Sequence, residues 1–457
     1  MLTFADEHQQ KTDFMRRISL AFAFATAVAG CVSAQNISDE MMEELRGSWA
    51  GSASDRAIQN VVTANAFSAL IKNHANVGEA DMKFTHEVPS HGISNQKSSG
   101  RCWLFTGMNV LQSLTLDGEK TETAKGLKEV NFSHVYLSFH DLLEKSNLFL
   151  QSVIDMRKAD FSDRRLDYLL RNPIGDGGTF TGVADLVEKY GLVPSDVMPE
   201  TYQSENTASM LKYIKTTLRR AVPMLRKDPS KKAEVLKSVY RILVLCCGEP
   251  PREFTWKGKR YTPQAFRDSI CPRSQELRDY VMIVNDPLRP YYKMYDIDLA
   301  RHMYDGHNWR HLNLPWAEMA EAAIRSIKDS TAMYFSCDVG KELDRVGGRL
   351  DLRNFDVESL LGVEFGMPKD EAMLTFESAS SHAMTLVGVA MEEEKPVRWK
   401  IENSWGSTGA SGHLVATDEW MEKYAYRLVV HKKYLDEKTR QMTEQKPVQL
   451  PAWDYLN

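Results

Sequence analysis

Apolar positions change their spacing part-way along the chain. A polar, helix-prone stretch runs from Ser38 to Gly47, and an amphipathic one follows from about Arg56 to Ile71. Turn residues cluster from Pro89 to Gly100. Leu104, Met108 and Leu111 then fall at i, i+4 and i+7, which predicts a helix opening at Cys102. Ser133 is placed to cap a second helix reaching Phe149. Gly175-Asp176-Gly177-Gly178 predicts a tight loop before a helix from Val183 to Tyr190, stopped by Gly191. The stretch from about 205 to 240 also reads as helix. From about 330 the period shortens to that of strands: Ala332 to Cys337, Ala383 to Met391, Val397 to Glu402 and Tyr426 to His431. Helices lead and strands follow, so the pattern is α+β. After Lys438 the chain turns polar, and Pro447, Leu450, Pro451 and Trp453 read as an extended arm rather than a packed element.

Composition changes this picture little. The 457 residues are 43% hydrophobic and 10% aromatic, enough to bury a real core. A formal charge of −5 argues against a general nucleic-acid binder. Lys212, Lys215, Arg219, Arg220, Arg226, Lys227, Lys231, Lys232 and Lys237 make one basic stretch, read as a solvated helix face.

The N-terminus departs from the rest. Arg16 and Arg17 precede an uncharged apolar run from Ile18 to Gly30, the length of a signal-peptide core and too short to span a bilayer. Val28-Ala29-Gly30-Cys31 resembles a lipoprotein box, and Val32-Ser33-Ala34 an ordinary cleavage site. Asp6, Glu7 and Asp13 suit a signal poorly, which makes Met15 an alternative start. The expectation is an exported, periplasmic or lipid-anchored protein, with membrane attachment only if Cys31 is lipidated; a cytoplasmic location is the alternative. The six cysteines match neither a zinc site nor a disulfide framework, and adjacent Cys246 and Cys247 do not pair easily. His302, His307 and His311 cluster, but no acidic residue stands between the last two as in a His-Glu-x-x-His zinc motif, so no metal is expected.

Thiol catalysis is the chemistry the residues suggest. It needs a thiolate, an imidazole beside it, a group that orients the imidazole, and donors for an oxyanion. Cys102 follows a glycine-containing turn at a helix start, where the helix dipole lowers a thiol pKa. His382 enters an apolar strand from a serine-rich turn, and Asn403 closes another strand. The asparagine carbonyl would fix the imidazole tautomer. Gln96 could place its amide beside the Cys102 backbone N–H as an oxyanion hole. A preformed thiolate–imidazolium pair is expected. Taken singly, each residue has an ordinary structural explanation; the ordered set of four does not.

Asn95-Gln96-Lys97-Ser98-Ser99-Gly100-Arg101-Cys102-Trp103-Leu104-Phe105 closely resembles the nucleophile segment of the bleomycin hydrolase and aminopeptidase C family. Ser381-His382-Ala383-Met384 and Glu402-Asn403-Ser404-Trp405-Gly406 resemble its other catalytic segments. Glu188 to Pro194, Val284 to Pro287 and Cys337 to Lys341 extend the likeness, which runs from about residue 60 to the C-terminus. One departure from the papain-type signature is that the disulfide-forming cysteine before the nucleophile is missing.

The resemblance implies a papain-like two-lobed fold, a helical lobe plus a β-barrel-like lobe, with a large, mainly helical insertion. It makes Cys102 the nucleophile, His382 the base and then the acid, Asn403 the orienter and Gln96 the oxyanion donor. Trp405 would shield the Asn–His bond, and Gly177 and Gly178 would let backbone approach the bound peptide. It implies peptide substrates, no cofactor and a homohexamer. A C-terminal arm would enter the cleft, its last carboxylate holding the substrate's amino group. Leu450 to Asp454 resembles that arm, followed only by Tyr455, Leu456 and Asn457, a few residues fewer than in the family. The expected division is 1–34 signal, 35–200 N-terminal arm and helical lobe, 201–330 inserted region, 331–440 β-rich lobe and 441–457 arm. The expected activity is that of a cysteine aminopeptidase. A papain-like endopeptidase or amidase with an unblocked cleft, or a non-enzymatic oligomeric binding protein, are the alternatives.

Overall fold

The computed structural model describes residues 36–89, 92–116 and 130–457. The signal-like run and Cys31 lie outside them. The chain divides into two compact units, with the boundary in sequence between Ile71 and Lys72. The first unit holds α1 (Asp39–Ser48), capped by Ser38, and α2 (Ala53–Ala64). A reciprocal capping box between Ser52 and Asp55 starts α2 earlier than the apolar pattern suggested. Neither helix buries a residue.

In the second unit, α3 (Cys102–Leu116) buries Leu104, Met108 and Leu111 completely, as their spacing predicts. It packs with α4 (His134–Asp155), which is capped by Ser133, and with α5 (Phe180–Tyr190), which ends at Gly191. The basic stretch forms α6 (Ala208–Lys227) and α7 (Lys232–Cys247). The same apolar core takes Leu218 and Leu225 of α6 and Val239 and Leu243 of α7. Among the described residues no helix is long and apolar enough to cross a membrane.

Among the described residues twelve strands form one sheet. Its longer members are β1 (Tyr280–Val284), β2 (Met294–Ile297), β3 (Arg310–Asn313), β4 (Met333–Cys337), β5 (His382–Glu392), β6 (Lys395–Glu402), β7 (His413–Thr417), β8 (Ala425–His431) and β9 (Val448–Leu450). Their spatial order is β9-β2-β3-β1-β8-β4-β5-β6-β7. Within 201–330 helices predominate, and the apolar run Tyr280–Val284 joins the sheet beside β8, followed outward by β3 and β2. One expectation gives way here. The arm is packed: β9 pairs in parallel with β2, and Ala452 and Leu456 are buried. Prolines 447 and 451 bracket β9 without interrupting it, and the strand lies at the sheet edge, where a missing N–H is tolerated.

The sheet stands between two cores. Along β4, Tyr334 enters the core of α3 to α7, while Met333, Phe335 and Cys337 enter a second core with Trp399 and Trp420. Along β5, Ala383 faces the first core and Met384 the second. This is the period-two alternation of a strand buried on both faces. The N-terminus of α3 and the start of β5 therefore meet where the two cores adjoin.

Candidate active site

Cys102 is the first residue of α3 and is half-buried. Asn109, two turns on, donates to Thr385 Oγ1 of β5 at 3.2 Å and to Glu402 Oε1 of β6 at 2.8 Å. These bonds fix the helix to both strands that carry the other site residues. Register does the rest. Thr385 pairs with Glu402 across β5 and β6, so His382 and Asn403 fall beside one another at the strand ends.

Asn403 Oδ1 accepts the Ser404 backbone N–H at 2.8 Å and contacts His382 Nε2 at 2.9 Å. Because Ser404 must donate, that atom is an oxygen and Nε2 carries the proton. Nδ1 is left as the basic nitrogen. The Trp405 ring stacks on the imidazole with centroids 4.8 Å apart, and the Arg345 guanidinium lies 4.3 Å from a Trp405 ring centroid.

Charge at the site departs from the sequence expectation. Burial raises the Cys102 thiol above its ordinary value, and the Asp176 charge pushes the same way; backbone N–H groups of Ala383, Trp103 and Cys102 oppose both. Burial also lowers His382 to about 4, aided by Arg345 and resisted by the Asn403 hydrogen bond. Desolvation outweighs the helix start. Burial thus disfavours the charged form of each group taken by itself.

Gln96 sits in a turn held by left-handed Lys97, with φ 54°. Its Oε1 accepts from the Ser404 hydroxyl at 2.6 Å, and its Nε2 donates to Ser99 O at 2.6 Å. One Nε2 hydrogen is thus engaged and the second is left for another acceptor. The Gln96 backbone N–H donates to Ser404 O at 2.9 Å, stitching the loop before Cys102 to the loop after Asn403.

Gly178 is backed by Trp103 and His302: a Cβ there would lie 2.8 Å from Trp103 Cδ2 and 2.2 Å from His302 Cε1. At Gly177 a Cβ would meet nothing within 4 Å. Both glycines line a cavity of about 330 Å³ with Ser380, Arg427, Leu456 and Asn457. Cys102 and His382 do not line it themselves, but Ser380 lies two residues before His382. The arm reaches this cavity through Arg427, which donates to the Leu456 carbonyl, and through Asn457 Nδ2, which donates to Tyr168 Oη at 2.8 Å.

Sequence reasoning missed several neighbours. Arg345, Arg427 and the Asp176 side chain come from loops and a strand whose apolar pattern carries no mark of chemistry. Asp176 lay in the glycine run but was read only as turn. The clustered histidines are structural: His302 Nδ1 lies 2.6 Å from Asp141, His307 Nδ1 lies 2.8 Å from Asp185, and His311 is fully buried. No metal-ligating group of three gathers among the described residues.

A thiol at a helix start, packed against the strand whose first residue is a histidine with its Nε2 fixed by asparagine, is the arrangement of the papain-like cysteine peptidases, and the comparisons agree on that class. Residues 36–457 match the Peptidase C1-like family, and the chain belongs to it. It is 32% identical to Aminopeptidase C of Listeria monocytogenes, over 91% of this chain and 97% of the relative. It is 34% identical to human Bleomycin hydrolase, over 87% of this chain and 92% of the relative. The crystal structure of PepW from Lactobacillus rhamnosis superposes with a TM-score of 0.85 at 31% identity, covering 93% of this chain and 99% of that one.

Proposed function

We propose that the protein is a cysteine aminopeptidase that removes N-terminal residues from peptides through an acyl-thioester on Cys102. The observation that carries this is the fixed tautomer of His382: Asn403 holds the Nε2 proton, leaving Nδ1 to take the Cys102 proton as sulfur attacks the scissile carbonyl. The Cys102 backbone N–H and the second Gln96 amide hydrogen stabilise the oxyanion. His382 then protonates the leaving amine and activates water against the thioester. Trp405, stacked on the ring, keeps water from the Asn–His bond. Gly177 and Gly178 bring backbone to the substrate. The arm through Asn457 reserves one end of the cleft for a free amino terminus.

The same proposal takes the two cores as the lobes of a papain-like fold, with Cys102 on the helical lobe and His382 and Asn403 on the sheet-rich one. A homohexamer and export from the cytoplasm belong to it as well, the first resting on the family and the second on Arg16 to Gly30.

The test is cleavage of a fluorogenic aminoacyl amide and its N-acetylated twin by wild type and Cys102→Ala. Hydrolysis of the free-amine form alone, abolished in the variant, is expected. Equal hydrolysis of both forms would mean an open cleft, and cleavage surviving in Cys102→Ala would remove the thiol mechanism.

A further inference from the structure

The loop carrying the nucleophile has no covalent anchor, since Ser99 stands in the stretch where the papain-type signature has its disulfide cysteine. Other contacts hold it. The Gly100 backbone N–H donates to Asp176 Oδ2 at 2.7 Å, and the Thr207 hydroxyl donates to the same oxygen. The Trp103 indole N–H donates to the Asp176 backbone carbonyl at 2.7 Å. One residue thus grips the chain on both sides of Cys102. The fit is close: a Cβ at Gly100 would fall 2.5 Å from Asp176 Oδ1.

The gripping residue is itself held. Lys145 Nζ donates to the carbonyls of Gly175 at 3.2 Å and Gly177 at 2.6 Å, and pairs with Asp141 at 2.7 Å. The Thr179 N–H donates to His302 Nε2 at 3.1 Å, and His302 Nδ1 meets Asp141. Loop 175–179 is thereby a fixed post.

We propose that Asp176 is a positioning residue for the reaction, a polar clamp that ties the nucleophile loop to the glycine loop and sets the Cys102 thiol and backbone N–H against the substrate carbonyl. This rests on Cys102 being the nucleophile. The contribution is geometric. A nearby negative charge opposes thiolate formation, so charge alone would make Asp176 a liability.

Three variants of the intact chain separate geometry from charge. Asp176→Asn keeps an acceptor oxygen and removes the charge, Asp176→Ala removes both, and Thr207→Val removes one donor. The readouts are kcat and KM on a fluorogenic aminoacyl amide, and the pH dependence of iodoacetamide alkylation at Cys102, located by mass spectrometry. Asp176→Ala should lower kcat by roughly tenfold to 10²-fold with KM within about twofold. Asp176→Asn should keep kcat within about threefold while its alkylation midpoint moves about half a pH unit lower. Wild-type kcat in Asp176→Ala, or equal losses in both variants with unmoved midpoints, overturns the clamp. If Asp176→Ala fails to fold, the Asp176→Asn midpoint and a loss of about fivefold in Thr207→Val decide, and no change in either overturns the proposal. A failure of the nucleophile reading shows separately, as cleavage that survives Cys102→Ala; the alkylation profile still reports on Asp176.

Discussion

The two walls of the cleft are built from different materials. The nucleophile wall is built on a buried helix with polar stitching around it: Leu104, Met108 and Leu111 are fully buried, Gln96 and Ser99 bond each other locally, and Ser404 bonds Gln96 from the asparagine loop. After β9 the arm wall buries two apolar residues, Ala452 and Leu456, with Asp454 beside them, and it rests on polar contacts to distant segments. Asp454 pairs with Arg289, the Tyr455 hydroxyl donates to Asp286 at 2.7 Å, and Asn457 reaches Tyr168. A wall made of packing keeps its geometry when one contact is lost. A wall made of polar contacts is easier to remove, and under the proposed function it is the one that meets the substrate's amino terminus. Catalytic rate should therefore belong to the first wall, and selectivity for free amino termini to the second.

Asn403→Ala strikes the first wall hardest. It removes the acceptor for His382 Nε2 and for the Ser404 N–H together, freeing the imidazole to turn and to change tautomer. The expected loss in kcat is on the order of 10²-fold, with a smaller change in KM. Steady-state kinetics on an aminoacyl amide check this; an unchanged kcat would mean that stacking on Trp405 alone orients the ring.

Truncation before Asp454 addresses the second wall. It removes the Leu456 carbonyl from Arg427 and empties one side of the cavity at Gly177 and Gly178. The preference for a free-amine over an N-acetylated substrate should fall by roughly thirtyfold, about 2 kcal/mol, while kcat on the free-amine substrate changes little. If kcat falls and the preference stays, the arm braces the site instead of guarding it.

The walls also differed in how far the sequence disclosed them. The nucleophile wall was legible because its determinants are local. The apolar spacing after Cys102, the caps at Ser133 and Gly191, and the strands at 382–392 and 395–402 each follow from neighbours in sequence. Its charge state was not legible, because burial depends on what the rest of the chain lays over the sulfur. The arm's strand was missed for a related reason: Val448, Gln449 and Leu450 have no pattern of their own and become a strand only because β2 offers an edge. The strands at 280–284, 294–297 and 310–313 were not picked out within a region read as mainly helical, where their short apolar runs carry no period that separates strand from helix. Asp176 looked like turn chemistry because its partners, Gly100 and Thr207, lie far off in sequence.

His311 tests the arm side at the smallest scale, through stability. It lies on β3, next to the strand that pairs with the arm, stacked on Tyr295 and edge-on to Trp309, and neither ring nitrogen has a hydrogen-bond partner. Burial, with the charges of Arg289 and Arg427, holds it down at about 3. A histidine with a depressed folded value is protonated more readily in the unfolded chain, so folding is opposed as pH falls below the unfolded value near 6.5. At pH 5 this amounts to about 2 kcal/mol. His382, at about 4, and His134, also at about 4, act in the same window on the other side of the cleft. His311→Phe keeps a flat ring between the same neighbours and removes the titration. Thermal unfolding at pH 7 should be nearly unchanged, whereas the drop in Tm between pH 7 and pH 5 should shrink. An equal drop in both proteins would assign acid sensitivity to the histidines of the nucleophile wall, and it would reverse the ranking of the two walls in acid.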